Sequence, residues 1–330
     1  MKRCSAFCLL TPVFCLLPSA FAIDGVVMNA TSGQPQGGVK VTLVHPGANG
    51  MEQLGNASSD GRGGFRIAKD VPSPPALLQA DYKGVTYNLV LAPGAPSSGV
   101  TLTVYDTTTA AAASKMSQHI YVIEPGSDQL RVSETFLMTN ATQSTFEDPA
   151  KGSLQVYIPG APRDSVVATV EAPGGMPIRR PLSKTADANV YKLDYPVKPG
   201  DTRFDISYNL PASEKFASKL LRTDGPTRLA SPGSVVLSGE NVKDLGQEPQ
   251  SQARLYEVTG ASFEANITGT GTLHVNDSPE DGKAAKQEDN GAPQIQEVPA
   301  RIYTRLFWVL GFAFGMLALG GTYLYRKGSA

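Results

Sequence analysis

The chain has 330 residues, 41% of them hydrophobic, and its 29 Lys and Arg against 30 Asp and Glu leave a formal net charge of −1 at pH 7. That balance excludes the basic field that a nucleic-acid partner or an anionic lipid surface requires. All three cysteines, Cys4, Cys8 and Cys15, lie before Ile23; once that segment is removed, disulfides, thiolate catalysis and cysteine metal sites are excluded, and stability rests on packed cores.

Met1-Lys2-Arg3, the apolar run Cys4–Leu17 and the small-x-small ending Ser19-Ala20-Phe21-Ala22 read as a secretory signal peptide over 1–22, cleaved after Ala22. The run is too short for a membrane span and is broken by Pro12 and Pro18.

From Ile23 onward, short apolar or alternating runs are separated by Gly, Pro, Asn and Asp: Gly25–Asn29, Val39–Val44, Gln53–Ser58, Phe65–Ala68, Leu77–Tyr82, Thr86–Leu91 and Val100–Tyr105. This rhythm predicts a β-sandwich. Gly37-Gly38 and Asp60-Gly61 with Gly63-Gly64 read as turns that admit positive φ. Calcium needs about six to eight oxygens, and Asp60 is the only carboxylate of its loop.

Gly25-Val26-Val27, Pro35-Gln36-Gly37-Gly38-Val39-Lys40-Val41-Thr42-Leu43, Ser59-Asp60-Gly61-Arg62-Gly63-Gly64-Phe65 and Ala80-Asp81-Tyr82-Lys83-Gly84-Val85-Thr86-Tyr87 together resemble the carboxypeptidase regulatory-like, transthyretin-like domain. The resemblance covers residues 23–106. It implies a small prealbumin-like sandwich, grouped with carbohydrate-binding-like modules and usually attached to something else.

Residues 107–117, small and polar, read as a linker. Strand patterns resume at His119–Ile123, Gln129–Asn140, Ser153–Ile158, Ser165–Glu171, Met176–Leu182, Val190–Tyr195 and Arg203–Leu210, a second sandwich over 118–210. Residues 211–275 read either as a third sandwich or as an extension of the second, with Lys215–Leu221 preferred as strand over a two-turn helix. Residues 276–305 are acidic and nearly free of large apolar side chains, the composition of a disordered stalk. Leu306–Tyr325 carries no charge and is flanked by Arg305 and Arg326-Lys327. It is long enough for a transmembrane helix, with 326–330 as a cytoplasmic tail.

The chemistry is sparse. His45, His119 and His274 fall in different expected segments, and no HExxH, GxSxG or phosphate-binding glycine loop occurs. His274 with Asp277 has ligand-like spacing but stands at the stalk. We therefore expect no catalysis, no cofactor and no metal. Glu134 interrupts the apolar face Leu130, Val132, Phe136, Met138, and a carboxylate there needs a partner: either an edge strand or bulge exposes it, or it forms a buried ion pair with Arg203. Because the only tryptophan, Trp308, lies in the span, Tyr82 and Tyr87, with Tyr105, are the ligand-contact candidates for a sugar face, against a packing role. Gly311 and Gly315 form GxxxG, a helix-helix contact for a homodimer through the span.

The expectation is an all-β chain of two or three tandem β-sandwich domains plus one C-terminal transmembrane helix. It would be single-pass in a cell membrane, with its ectodomain exported to the periplasm or cell surface. Its role would be an interaction or scaffold module with an extracytoplasmic protein or glycan partner; the alternatives are a carbohydrate-binding module and an accessory subunit of an envelope enzyme or transporter.

Overall fold

The computed structural model describes residues 22–47, 50–69, 75–92, 94–160 and 166–273. The signal segment 1–22 apart from its last residue, the stalk, the span with Gly311 and Gly315, and His274 lie outside the described residues. Among the described residues the chain is nearly all β, and no helix is long and apolar enough to cross a membrane.

The first unit comprises β1 (Ile23–Asn29), β2 (Gln34–Pro35), β3 (Lys40–Gly47), β4 (Gly50–Ser58), β5 (Gly64–Ile67), β6 (Ala76–Tyr82), β7 (Val85–Leu91) and β8 (Val100–Val104). One sheet centres on β1, which pairs with β2, β5 and, in parallel, β8; the other runs β4-β3-β6-β7. Their inward faces alternate with polar outward ones: Ile23 and Val27, Val41 and Leu43, Leu78 and Ala80, Leu102 and Val104 close one apolar core. Gly38, at φ 76°, makes the turn into β3 in a region where a Cβ would be strained. Asp60 Oδ1 accepts the Arg62 and Gly64 amides, each at 2.8 Å, so this carboxylate caps its own turn.

The second unit begins where a linker was expected. β9 (Thr107–Thr108), a 3₁₀ turn (Ala111–Ala113) and β10 (Lys115–Pro125) are packed, with Ala113 and Met116 buried. There follow β11 (Gln129–Asn140), β12 (Thr145–Phe146), β13 (Leu154–Tyr157), β14 (Val167–Glu171), β15 (Ile178–Arg179), β16 (Ser183–Lys184), β17 (Val190–Leu193), β18 (Gly200–Pro211), β19 (Lys215–Lys219), β20 (Thr227–Ser231), β21 (Val236–Ser238), β22 (Val242–Gln247), β23 (Arg254–Val258) and β24 (Ser262–Thr268).

An eight-stranded sheet, β15-β14-β18-β11-β10-β20-β23-β22, lies against two three-stranded sheets, β13-β17-β16 and β19-β24-β21, through one apolar core. Residues 211–273 therefore extend the second unit: β20, β23 and β22 continue its large sheet, while Phe216, Phe263 and Ile267 enter the same core as Phe204 and Val132. β19 is a strand because Phe216 and Ser218 are buried while Lys215, Ala217 and Lys219 are exposed, the period of a strand rather than of a helix.

Candidate functional site

The densest buried polar cluster surrounds Glu134. β11 and β18 pair in register over twelve residues, Gln129↔Pro211 to Asn140↔Gly200, so the inward residues of both fall in one layer. Glu134 is 1% exposed. Its Oε1 accepts the Tyr208 hydroxyl at 2.7 Å and its Oε2 lies 3.1 Å from His119 Nε2, which donates to it. Tyr121, across the β10–β11 ladder from Glu134, shares its hydroxyl with Ser218 at 3.0 Å. His119 stacks on Phe136 at 3.8 Å between ring centroids, and its Nδ1 lies 3.5 Å from Thr227 Oγ1. Burial first, and the charge of Glu134 second, push the Tyr121 and Tyr208 phenols well above their usual range, so both remain neutral hydroxyl donors.

A β-bulge builds this cluster. The β10–β11 register slips between Met116 and Gln118. Met116 is buried before the slip, and His119, Tyr121 and Ile123 after it, so the extra residue switches which parity faces the core. Without it His119 would point to the opposite side of the sheet. Above the cluster is a cavity lined by His119, Glu134, Gln155, Tyr157, Lys219 and Arg222, with about 10 Å³ of room for the centre of a water molecule. That is the space of one water. Among the described residues no three His, Cys, Asp or Glu side chains gather as a metal site.

A second polar cluster forms the seam between the units. Asp106 Oδ1 accepts from Lys83 Nζ at 2.8 Å, the Tyr82 hydroxyl at 2.9 Å and Asn29 Nδ2 at 3.1 Å. The lysine bond chiefly holds its carboxyl below the usual range. The backbone oxygen of Asp106 accepts the Thr145 amide at 2.8 Å, where β12 pairs with β9. The Tyr87 hydroxyl bonds Thr145 Oγ1 at 2.8 Å and the Tyr105 carbonyl at 2.9 Å, and the Thr31 hydroxyl donates to the Gln143 carbonyl. Lys198 Nζ donates to the Thr86 carbonyl at 2.5 Å and lies 5.2 Å from the Tyr87 ring centroid. Burial lowers the Lys198 ammonium to about 8.

Two expected assignments change. Arg203 is not the partner of Glu134: it points out of the sheet, half exposed, and pairs with Asp205 at 2.9 Å. Residues 203 and 134 differ in parity on registered strands (Leu137↔Arg203, Glu134↔Ile206), so their side chains leave opposite faces. Tyr82 and Tyr87 are not open platforms. Tyr87 is 4% exposed inside the seam, and Lys83 and Lys198 cover the faces of the two rings. The functional residues missed by sequence reasoning are His119, Tyr208 and Lys198. The alternation His119, Tyr121, Ile123 was visible, but Ile120 and Val122 form the more apolar parity of the same strand and conceal it.

No protein-family model matches the chain, and no curated protein does. Among solved structures it is similar to an M1 zinc metallopeptidase from Deinococcus radiodurans, as a mutant (10% identity, TM-score 0.26) and without the mutation (12% identity, TM-score 0.24). Each comparison covers 47% of this chain and 42% of that chain. The chain thus spans less than half the length of these peptidases, and a likeness this slight carries no argument about fold or chemistry.

Proposed function

We propose that the protein is a non-catalytic interaction module of a cell envelope: tandem β-sandwiches, the first of the carboxypeptidase regulatory-like kind, exported and tethered by the span 306–325 through the stalk 276–305. The observation that carries this reading is the closure of the buried chemistry. His119, Glu134, Tyr121 and Tyr208 satisfy one another or Ser218, and the small cavity beside them has room for the centre of a water molecule. What the body offers a partner is its outside, where free sheet edges such as β22 carry exposed Lys243 and Leu245. Such edges accept extended partner segments.

The test is photo-crosslinking from Leu245 in the full chain within native membranes. A discrete protein adduct is expected; an adduct with an envelope enzyme or transporter would narrow the role to accessory subunit. Labelling of glycan alone, or none above a control at Arg131, exposed on the central strand β11, overturns the proposal. Recovery of the mature chain in the soluble fraction after a salt wash would refute the tether.

A further inference from the structure

The sheet β4-β3-β6-β7 and the eight-stranded sheet end in four edge strands, β4, β7, β15 and β22. An unpaired edge invites another strand, and folded chains guard it with bulges, prolines or charged side chains. Three of these four carry such guards. β4 is bent by the extra residue Leu54, where its register against β3 slips between Leu43 and Val44. β15 lies between Pro177 and Pro181, and β22 is bulged between Asp244 and Gly246 and carries Lys243.

β7 lacks all of them. It reads Val85-Thr86-Tyr87-Asn88-Leu89-Val90-Leu91, with no proline and no charge, and its register with β6 is unbroken. The β6–β7 hairpin turns through Lys83-Gly84, both at positive φ, a two-residue loop that directs the backbone of Val85, Tyr87 and Leu89 toward β6. Thr86, Asn88 and Val90 therefore turn their amides and carbonyls away from the sheet. The Thr86 carbonyl shows the same phase, since it accepts from Lys198 Nζ. Among the described residues no other strand pairs with β7. Val90 is 51% exposed and Leu89 half-buried, whereas β8, on the facing sheet, exposes only Thr101 and Thr103.

We propose that the outer edge of β7 is a docking strand: it takes an extended segment of a partner protein through the backbone of Asn88 and Val90, with an apolar residue beside Val90 and an acidic one toward Lys198.

The site rests on the interaction role proposed above and names its surface and chemistry. Backbone pairing supplies the attraction, and alternate side chains supply the choice of partner. Lys198 Nζ stands at the Thr86 end of the edge and has no ion pair among the described residues, so a carboxylate there is matched. The occupant is a separate segment rather than a second copy. β7 holds no carboxylate to offer a copy of itself, and so short a row of backbone groups falls well below the roughly 1,000 Å² of a stable interface between folded bodies.

Photo-crosslinkers placed in turn at Asn88 and Val90 of the full chain, in native membranes, test this. Both are expected to capture one segment of one protein, at attachment points two residues apart, with an acidic residue about four positions from the Val90 attachment. Asn88→Pro deletes an outward amide and leaves the β6–β7 ladder intact, so it should cut the Val90 adduct roughly tenfold. Asn88→Ala keeps the amide and should leave the adduct unchanged. Hydrogen exchange of the β6 amides reports that the first unit is folded; should the proline variant unfold, the spacing of the two attachments decides. Capture of a second copy, a segment without the carboxylate, or an adduct indifferent to Asn88→Pro overturns the docking strand. An adduct from Leu245 with none from Val90 overturns it too but leaves the interaction role standing, and none from either position overturns both.

Discussion

Tyr208→Phe removes one oxygen from the buried cluster and leaves every apolar contact in place. The lost bond is short, 2.7 Å, and runs to a carboxylate that is 1% exposed, the class of hydrogen bond that contributes about 1.5–3 kcal/mol. For a unit of this size each kcal/mol shifts the midpoint by about 2–4 °C, so the thermal transition of the second unit should fall by roughly 3–12 °C. Glu134→Leu should cost more, on the order of 3–5 kcal/mol, since it strands both the Tyr208 hydroxyl and the His119 ring in an apolar interior. Combining Glu134→Leu with Tyr208→Phe and His119→Phe should recover much of that loss, because partners removed together leave nothing unsatisfied. Urea unfolding followed through β11 and β18 amides measures all three. A neutral Glu134→Leu, or a triple variant no better than the single, would show that the cluster is not the closed unit described.

Two further outcomes follow from the first unit and the seam. A Cβ at Gly25 would stand 2.0 Å from the Val100 carbonyl oxygen, where β1 and β8 run in parallel register, so Gly25→Ala should cost on the order of 3 kcal/mol or more and lower the first unit's transition while sparing the second. Asp106 is held below its usual range chiefly by Lys83; for such a carboxyl the stabilisation is present above about pH 4 and lost as pH falls through the lowered value. Circular dichroism in acid should therefore show the first unit weakening below pH 4 to a small extent, as befits largely solvated groups, and Asp106→Asn should reduce that dependence to the share of Asp24, whose carboxyl is lowered chiefly by the Gly99 amide.

The strands were legible because their signal is local. Phe204, Ile206 and Tyr208 alternate with Arg203, Asp205 and Ser207, and that period alone puts the first set inside. Glu134 on an apolar parity was equally readable, as was its need of a partner. The identity of the partner was not, since the nearest base in the strand pattern, Arg203, leaves from the other face once β11 and β18 are in register. The residues 107–117 misled because small polar side chains describe a linker and a tightly bonded crossover equally well; Ala113 and Met116 are buried there by neighbours distant in the chain.

By itself the sequence determined that this chain is built of strands, where most of them run, and that one carboxylate stands on an apolar parity and needs either exposure or a partner, since periodicity and the cost of burying charge require no knowledge of neighbours. Tertiary structure alone decided that His119 and Tyr208 meet that carboxylate, that 211–273 joins the second unit, and that Lys198 meets the Thr86 carbonyl and the Tyr87 ring. Each of these depends on register, on a bulge or on the docking of two separately cored units, and those are set by contacts between residues far apart in the chain.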